Sequence, residues 1–175
     1  GIAAKAGILI KDAEALEIAH SVTIVAFDKT GTLTEGSPSV SSIISFEGTE
    51  RDILQLIASI QNTSEHPLAR AVMKESKKHR TQLLETQFMK SLPGRGVEAI
   101  IDDKKYYLCS KRMLTEIGLD TSEILALSAQ RESRGETVSF LVSETDKKIL
   151  SIISFSDKIN KSSYEIVKIL HSMVI

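Results

Sequence analysis

The sequence predicts an α/β protein whose two ends are pieces of a parallel-sheet unit and whose middle is a compact, inserted α+β module. Three observations carry this. The run Val22–Phe27 is nearly all apolar and holds the β-branched residues Val22, Ile24 and Val25, so it reads as a strand buried on both faces, the kind found in parallel sheets. The middle alternates short strand-like runs with turn residues, the pattern of hairpins. The end, Ser162–Met173, places Ile166, Ile169 and Leu170 at helical spacing after a strand-like run, the strand–helix order of an α/β unit.

The elements follow in order. Lys11–His20 carries Ala13, Leu16, Glu17 and Ala19 in the pattern of a short helix. Asp28–Gly36, rich in Thr and Gly, is a loop. Val40–Phe46 is a strand. Arg51–Ile60 is a helix with Ile53, Leu54, Ile57, Ala58 and Ile60 on its apolar side. Pro67 suits the first turn of a second helix whose stripe is Leu68, Ala71 and Val72. Gln87–Lys90, Gly96–Ile101 and Lys105–Cys109 are strands, the last two joined at Asp102–Lys104. Met113–Ile117 and Ser122–Arg131 are helical. Thr137–Ser143 and Lys148–Phe155 form a second hairpin around Glu144–Lys147. The expected division is residues 1–37 as the first part of the outer domain, 38–150 as the inserted module and 151–175 as the return, with the rest of the outer domain expected beyond Ile175.

Composition excludes several classes. Over 175 residues, 42% apolar and 26% charged residues suit a globular protein rather than a disordered one. Lys plus Arg number 22 against 23 Asp plus Glu, a net charge of −1, so there is no cationic excess for gripping nucleic acid. Cys109 is the only cysteine, too few for a disulfide framework or a thiolate metal site, and expected as an ordinary strand residue. No apolar run approaches the ~20 residues of a membrane span, and no signal peptide is evident. A chain running from Gly1 to an apolar Ile175 reads as an excised piece.

The chemistry concentrates at Asp28-Lys29-Thr30-Gly31-Thr32-Leu33-Thr34. A carboxylate delivered at a strand end can attack phosphorus and form an acyl phosphate. Lys29 adds positive charge beside a polyanion. Gly31 lets the backbone turn tightly, and Thr32 and Thr34 offer hydroxyls to the transferred phosphate. The segment resembles the phosphorylation signature of P-type ATPases. It also resembles the haloacid-dehalogenase-type phosphatase motif Asp-x-Asp-Gly-Thr, except that Thr30 occupies the place of the second Asp, the general base there. A threonine cannot act as a base at neutral pH, which favours a long-lived acyl phosphate over its hydrolysis.

Ser64-Glu65-His66-Pro67-Leu68-Ala69 is the second signal. The residue before a proline is held extended, so His66 stays outside the following helix and projects with Glu65 at its start. Gly94-Arg95-Gly96-Val97-Glu98-Ala99 formally matches a dinucleotide fingerprint, but Val97–Ile101 reads as a strand where a helix is required. It reads instead as a Pro93-Gly94 turn where missing side chains let a ligand approach the backbone.

In this order the three segments resemble the heavy-metal, CPx-type branch of P-type ATPases, over nearly the whole chain. Gly7–Lys11 is similar to the family's approach to the phosphorylation strand, and Phe155–Ile159 to its return into the phosphorylation domain. The resemblance implies a partial haloacid-dehalogenase-like, Rossmann-type phosphorylation domain with an inserted nucleotide-binding domain, an antiparallel sheet flanked by helices. It implies ATP and Mg²⁺ as cofactors and phosphorylation of Asp28 to drive copper or zinc/cadmium-class ions across a membrane. Lys29, Thr30, Gly31 and Thr32 would act with Asp28. Glu65, His66, Gly94, Gly96 and Ser110 would bind nucleotide, and Asp28 (side chain) and Thr30 (backbone) would supply part of an Mg²⁺ site. Partners would be ATP or ADP and the rest of the pump, with no nucleic acid, at the cytoplasmic face of a membrane.

Two positions depart from the family. Ser110 stands where Asn is common, and Asn160 stands where Arg is common, which removes any charge role of that Arg on the nucleotide. The family's Thr-Gly-Asp and Gly-Asp-Gly-x-Asn-Asp segments are absent, so these residues alone would bind nucleotide but catalyse poorly. The alternatives are a stand-alone nucleotide-binding or regulatory module without turnover, and the phosphatase.

Overall fold

The structure, a computed structural model, describes residues 2–5, 7–10, 12–119 and 121–173. The described chain divides into two units: Gly36–Lys158, and the two ends Gly1–Glu35 with Ile159–Ile175.

The larger unit is built on one six-stranded sheet of order β1-β6-β5-β4-β3-β2. Its strands are β1 (Ser39–Ser45), β2 (Phe88–Leu92), β3 (Gly96–Ile101), β4 (Lys104–Cys109), β5 (Thr137–Ser143) and β6 (Lys148–Ser156). Every pairing is antiparallel. The hairpin between β3 and β4 turns on Asp102 and Asp103, both at positive φ (49° and 59°), a conformation that short polar side chains tolerate. β6 is the longest strand and runs on to Ser156 by pairing with β1, a partner far away in sequence.

Successive residues of β5 and β6 feed different cores, as the two-residue period of a strand requires. Leu141, Ile153 and Phe155 pack with Ile53, Leu54 and Ile57 of helix α3 (Glu50–Gln61) and Val72 of α4 (Pro67–Lys78). Phe140, Val142 and Ile152 pack with Met113 and Leu114 of α5 (Lys111–Glu116), joined by Ile124 and Leu125 of α6 (Ser122–Glu132). The sheet is therefore covered on both faces, and the adjacent pairs Phe140-Leu141 and Ile152-Ile153 supply one apolar side chain to each. Cys109 is buried in the second core, and burial alone pushes its thiol up to about 12. It is a packing residue.

Helix α3 starts at a capping box. The Thr49 hydroxyl accepts from Asp52 N (3.2 Å), and the Asp52 carboxylate accepts from Thr49 N (2.9 Å). The start of β1 is tied to the end of β6 by Asp157, whose two carboxylate oxygens accept from the amides of Gly36 and Ser37, each at 3.1 Å.

The smaller unit holds α1 (Ile2–Lys5), α2 (Ala13–Ala19) and α7 (Lys161–Ser172). Helix α2 fills the helix expected over Lys11–His20, of which Lys11 lies outside the described residues; α1 was not anticipated. One expectation is overturned here. Val22–Phe27 joins no ladder among the described residues, and Ile24 is 82% exposed, so it is not a buried strand. A central parallel strand exists only between neighbours that take up its N–H and C=O groups, and no described segment pairs with it.

Candidate functional site

Asp28 directly follows this segment and is itself extended (φ −68°, ψ 144°) and exposed. Lys29–Leu33 then make a tight turn with Gly31 at φ 78°, the left-handed region that a glycine enters without strain. The turn is closed by Thr34, whose amide donates to Lys29 O at 3.1 Å. The Thr34 hydroxyl donates to Lys29 O (3.0 Å) and accepts from Gly31 N (3.3 Å). Thr34 is 5% exposed, so its hydroxyl is committed to shaping the loop and is not held out to a phosphate as expected. Thr30 and Thr32 remain exposed.

Asn160, at the N-cap of α7, grips the same loop. Its side-chain amide donates to Thr32 O and Thr34 O, both at 3.1 Å, and its backbone amide donates to Leu33 O at 2.9 Å. Ser163 Oγ adds a second donor to Leu33 O at 3.0 Å. Asn160 entered the sequence analysis only as a lost charge, and Ser163 did not enter at all. Nothing local in the sequence marks either one, because both act across more than 120 residues of chain.

In the larger unit, Glu65 and His66 form the corner before α4. His66 is extended (φ −60°, ψ 141°), as the following proline requires, and its Nδ1 accepts from Leu68 N at 3.2 Å. That cap needs Nδ1 unprotonated, so in the neutral ring the proton sits on Nε2 as a donor. Arg70 Nη1 donates to Glu65 O at 2.9 Å and holds the corner. Beside it lies an open cavity of about 540 Å³ lined by Asn62, Ser64, Arg70, Met73, Lys74 and Lys77, with three cations and no acid.

Gly94, Gly96 and Ser110 come together at the other corner. Ser110 Oγ donates to Gly94 O (3.2 Å) and its amide donates to Arg95 O (2.8 Å), so Ser110 holds the glycine turn. Arg95 reaches the Glu116 carboxylate at 2.7 Å, and this hydrogen bond is the main cause holding that carboxyl below its ordinary value of 4.5. The two glycines differ. A Cβ at Gly94 would meet nothing within 4 Å, whereas a Cβ at Gly96 would lie 2.1 Å from Leu108 O. Gly96 lets β3 close on β4. The segment enters a strand directly, in line with the rejection of a dinucleotide fold.

Among the described residues no hydrogen bond joins Glu65 or His66 to the glycine turn. Strand β2 touches Thr63 at one position and Gly96 at another. Thr63 Oγ1 lies 3.6 Å from Met89 Sδ, and Leu92, three residues on, pairs with Gly96. No group of three or more His, Cys, Asp or Glu side chains among the described residues could hold a metal ion, and no described helix is long and apolar enough to cross a membrane.

The sequence profile of the haloacid dehalogenase-like hydrolases matches residues 22–175. The chain belongs to that family. Similar curated proteins include copper-exporting and cadmium-transporting ATPases. The chain is 36% identical over 172 residues to the copper-exporting P-type ATPase B of Archaeoglobus fulgidus, covering 98% of this chain and 24% of that protein. It is 38% identical over 173 residues to the copper-exporting P-type ATPase of Staphylococcus haemolyticus (99% and 21%). It is 31% identical over 179 residues to a probable cadmium-transporting ATPase of Alkalihalophilus pseudofirmus (99% and 24%). The chain thus spans about a quarter of the length of the curated relatives it matches. Among solved structures, a zinc-transporting PIB-type ATPase in its E2.Pi state aligns with a TM-score of 0.69 at 31% identity, over 98% of this chain and 28% of that one. The catalytic domain of the CPx-ATPase CopB-B aligns at 0.63 and 23% identity, over 91% and 54%, which shows the shared fold. The haloacid dehalogenase-like chain therefore matches the catalytic region of metal-transporting P-type ATPases, and the stand-alone module and the phosphatase are not favoured.

Proposed function

We propose that this chain is the ATP-binding catalytic region of a heavy-metal-translocating P-type ATPase, of the copper or zinc/cadmium class, with Asp28 as the phosphate acceptor. The supporting observation is the Asp28 loop, where an exposed carboxylate leads a glycine turn and Thr30 stands where a hydrolytic base would be. An Asp28 carboxylate oxygen forms a bond to the γ-phosphorus of ATP. The bridging P–O bond breaks, and its electron pair leaves on ADP. Lys29 offsets charge at the phosphate, and Gly31 and Thr32 form its cradle.

The larger unit, Gly36–Lys158, forms the nucleotide module; the expected boundary at 150 would cut β6 (Lys148–Ser156). His66 Nε2–H and the Glu65 carboxylate suit the donor and acceptor edge of a purine, and the Gly94 turn, held by Ser110, lets the ligand approach the backbone. The Asp28 carboxylate and the Thr30 carbonyl, both hard oxygen donors, would hold Mg²⁺. When bound, the ion supplies neutralisation of the phosphate charge. The smaller unit, Gly1–Glu35 with Ile159–Ile175, belongs to the phosphorylation domain. In the intact pump the chain works at the cytoplasmic face of the membrane with the pump's own membrane helices and remaining domains.

Asp28→Asn keeps the shape and removes the anionic nucleophile. The intact Asn variant should bind ATP yet form no acid-stable, hydroxylamine-sensitive phosphoenzyme. Radiolabelled phosphate on that variant would end the assignment.

A further inference from the structure

We propose that Asn160 is a positioning residue for the Asp28 loop, acting with Ser163 as a two-residue clamp that turns three consecutive carbonyls away from the phosphate side. The proposal rests on the reading of Asp28 as phosphate acceptor and goes beyond it. The carbonyls of Thr32, Leu33 and Thr34 are all captured from α7: two by the Asn160 side-chain amide, and one shared by the Asn160 backbone amide and Ser163 Oγ.

A trans peptide points its C=O and the next residue's N–H in opposite directions. Drawing Thr32 O onto Asn160 therefore aims the Leu33 amide away from α7. Neutralising three carbonyl dipoles also removes repulsion that an anionic phosphate would meet beside Asp28. The geometry uses both hydrogens of one planar amide, at 3.1 Å each. Aspartate has the same shape and no hydrogens to give, whereas arginine offers several N–H donors in one plane. The role is thus one of donated hydrogen bonds rather than charge, and it explains how a neutral residue serves at this position.

The test compares Asn160→Ala, Asn160→Asp, Asn160→Arg and Ser163→Ala in the intact pump. Phosphorylation by ATP is read by rapid mixing and nucleotide affinity by equilibrium titration. Removing two hydrogen bonds should slow phosphoenzyme formation about tenfold or more in the Ala and Asp variants of Asn160. ATP affinity should stay within about twofold, a rate-against-affinity split that general unfolding would not produce. Asn160→Arg should recover most of the rate, and Ser163→Ala should fall between. A wild-type rate in Asn160→Asp, or an Asn160→Arg variant as slow as Asn160→Ala, would overturn the clamp.

Amide exchange on the 175-residue chain separates this from failure of the Asp28 reading, because it needs no phosphorylation. The Thr34 amide, which closes the loop onto Lys29 O, should exchange about tenfold faster in Asn160→Asp. Unchanged exchange would reject the clamp even if the pump proved to use another acceptor. If Asn160→Ala fails to fold, the Asp and Arg variants decide alone.

Discussion

Substituting the two turn glycines one at a time separates folding from binding at the same corner. In Gly96→Ala the new Cβ would sit 2.1 Å from Leu108 O and 2.7 Å from Cys109 Cα, at a backbone φ of 129°. Both neighbours are backbone atoms of β4, and Leu108 and Cys109 are buried in opposite cores, so neither can yield. The positive φ costs ~1–3 kcal/mol, and forcing β3 off β4 adds ~1–3 kcal/mol of overpacking. The expected loss is about 4 kcal/mol, a lowering of Tm by ~8–16 °C in a chain of this size. Gly94→Ala has the same left-handed backbone (φ 68°) but no neighbour within 4 Å, so only the strain of ~1–2 kcal/mol remains. Urea unfolding of the 175-residue chain gives both numbers, and ATP titration of the folded variants gives the second readout. Gly94→Ala should stay folded and bind more weakly, while Gly96→Ala should unfold first. Equal losses of stability for the two would refute the argument that β4 requires a glycine at 96, and full ATP affinity in Gly94→Ala would make that turn a purely structural feature.

Other outcomes follow from the same geometry. His66→Ala should weaken nucleotide binding by ~1–2 kcal/mol, the scale of one lost ligand hydrogen bond. It also removes the α4 cap, at a cost of about 1 kcal/mol of stability; His66→Asn should keep the cap and still lose affinity, and calorimetry showing normal affinity in either would remove the ring from the site. ATP and ADP should bind the chain within roughly tenfold of each other without Mg²⁺, about 1.4 kcal/mol, and a strict Mg²⁺ requirement in titration would contradict recognition at the nucleoside end. The Glu116 carboxyl is held below 4.5 chiefly by Arg95, so its small contribution is present above about pH 4.5 and disappears as pH falls through the lowered value. Acid unfolding curves of wild type and Glu116→Gln should differ above that window and converge below it. Thr30→Asp in the intact pump supplies a base beside the acyl phosphate, so the phosphoenzyme should decay faster in a chase experiment.

The larger unit was legible because its signals are local. Pro67 set the start of α4 and left His66 extended; the Ile53, Leu54 and Ile57 spacing marked α3; Asp102–Lys104 marked a hairpin. Each depends on residues a few positions apart, which is what periodicity and turn chemistry report. The pairing of β1 with β6, and hence the order of the sheet, depends on contacts over more than a hundred residues and left no local trace. Gly96 illustrates the same limit within a motif: the segment that holds it reads as a ligand turn, while the constraint on it comes from Leu108 across the ladder.

The Asp28 loop shows how a motif can be read correctly in type and incorrectly in detail. A Thr-rich, glycine-containing segment invites every hydroxyl to be assigned to the phosphate. Thr34, however, is buried and spends both its donor and an acceptor on Lys29 and Gly31. A five-residue turn must satisfy its own backbone before it can present anything to a ligand. Thr34 does this from within, and Asn160 and Ser163 from outside. With the carbonyls of Lys29, Thr32, Leu33 and Thr34, the Gly31 amide and the Thr34 hydroxyl so committed, the exposed side keeps the Asp28 carboxylate, the Lys29, Thr30 and Thr32 side chains and the amides facing away from α7. The chemistry of the loop is thus what remains after its folding requirements are met, which is why a residue more than a hundred positions away bears on how Asp28 is presented.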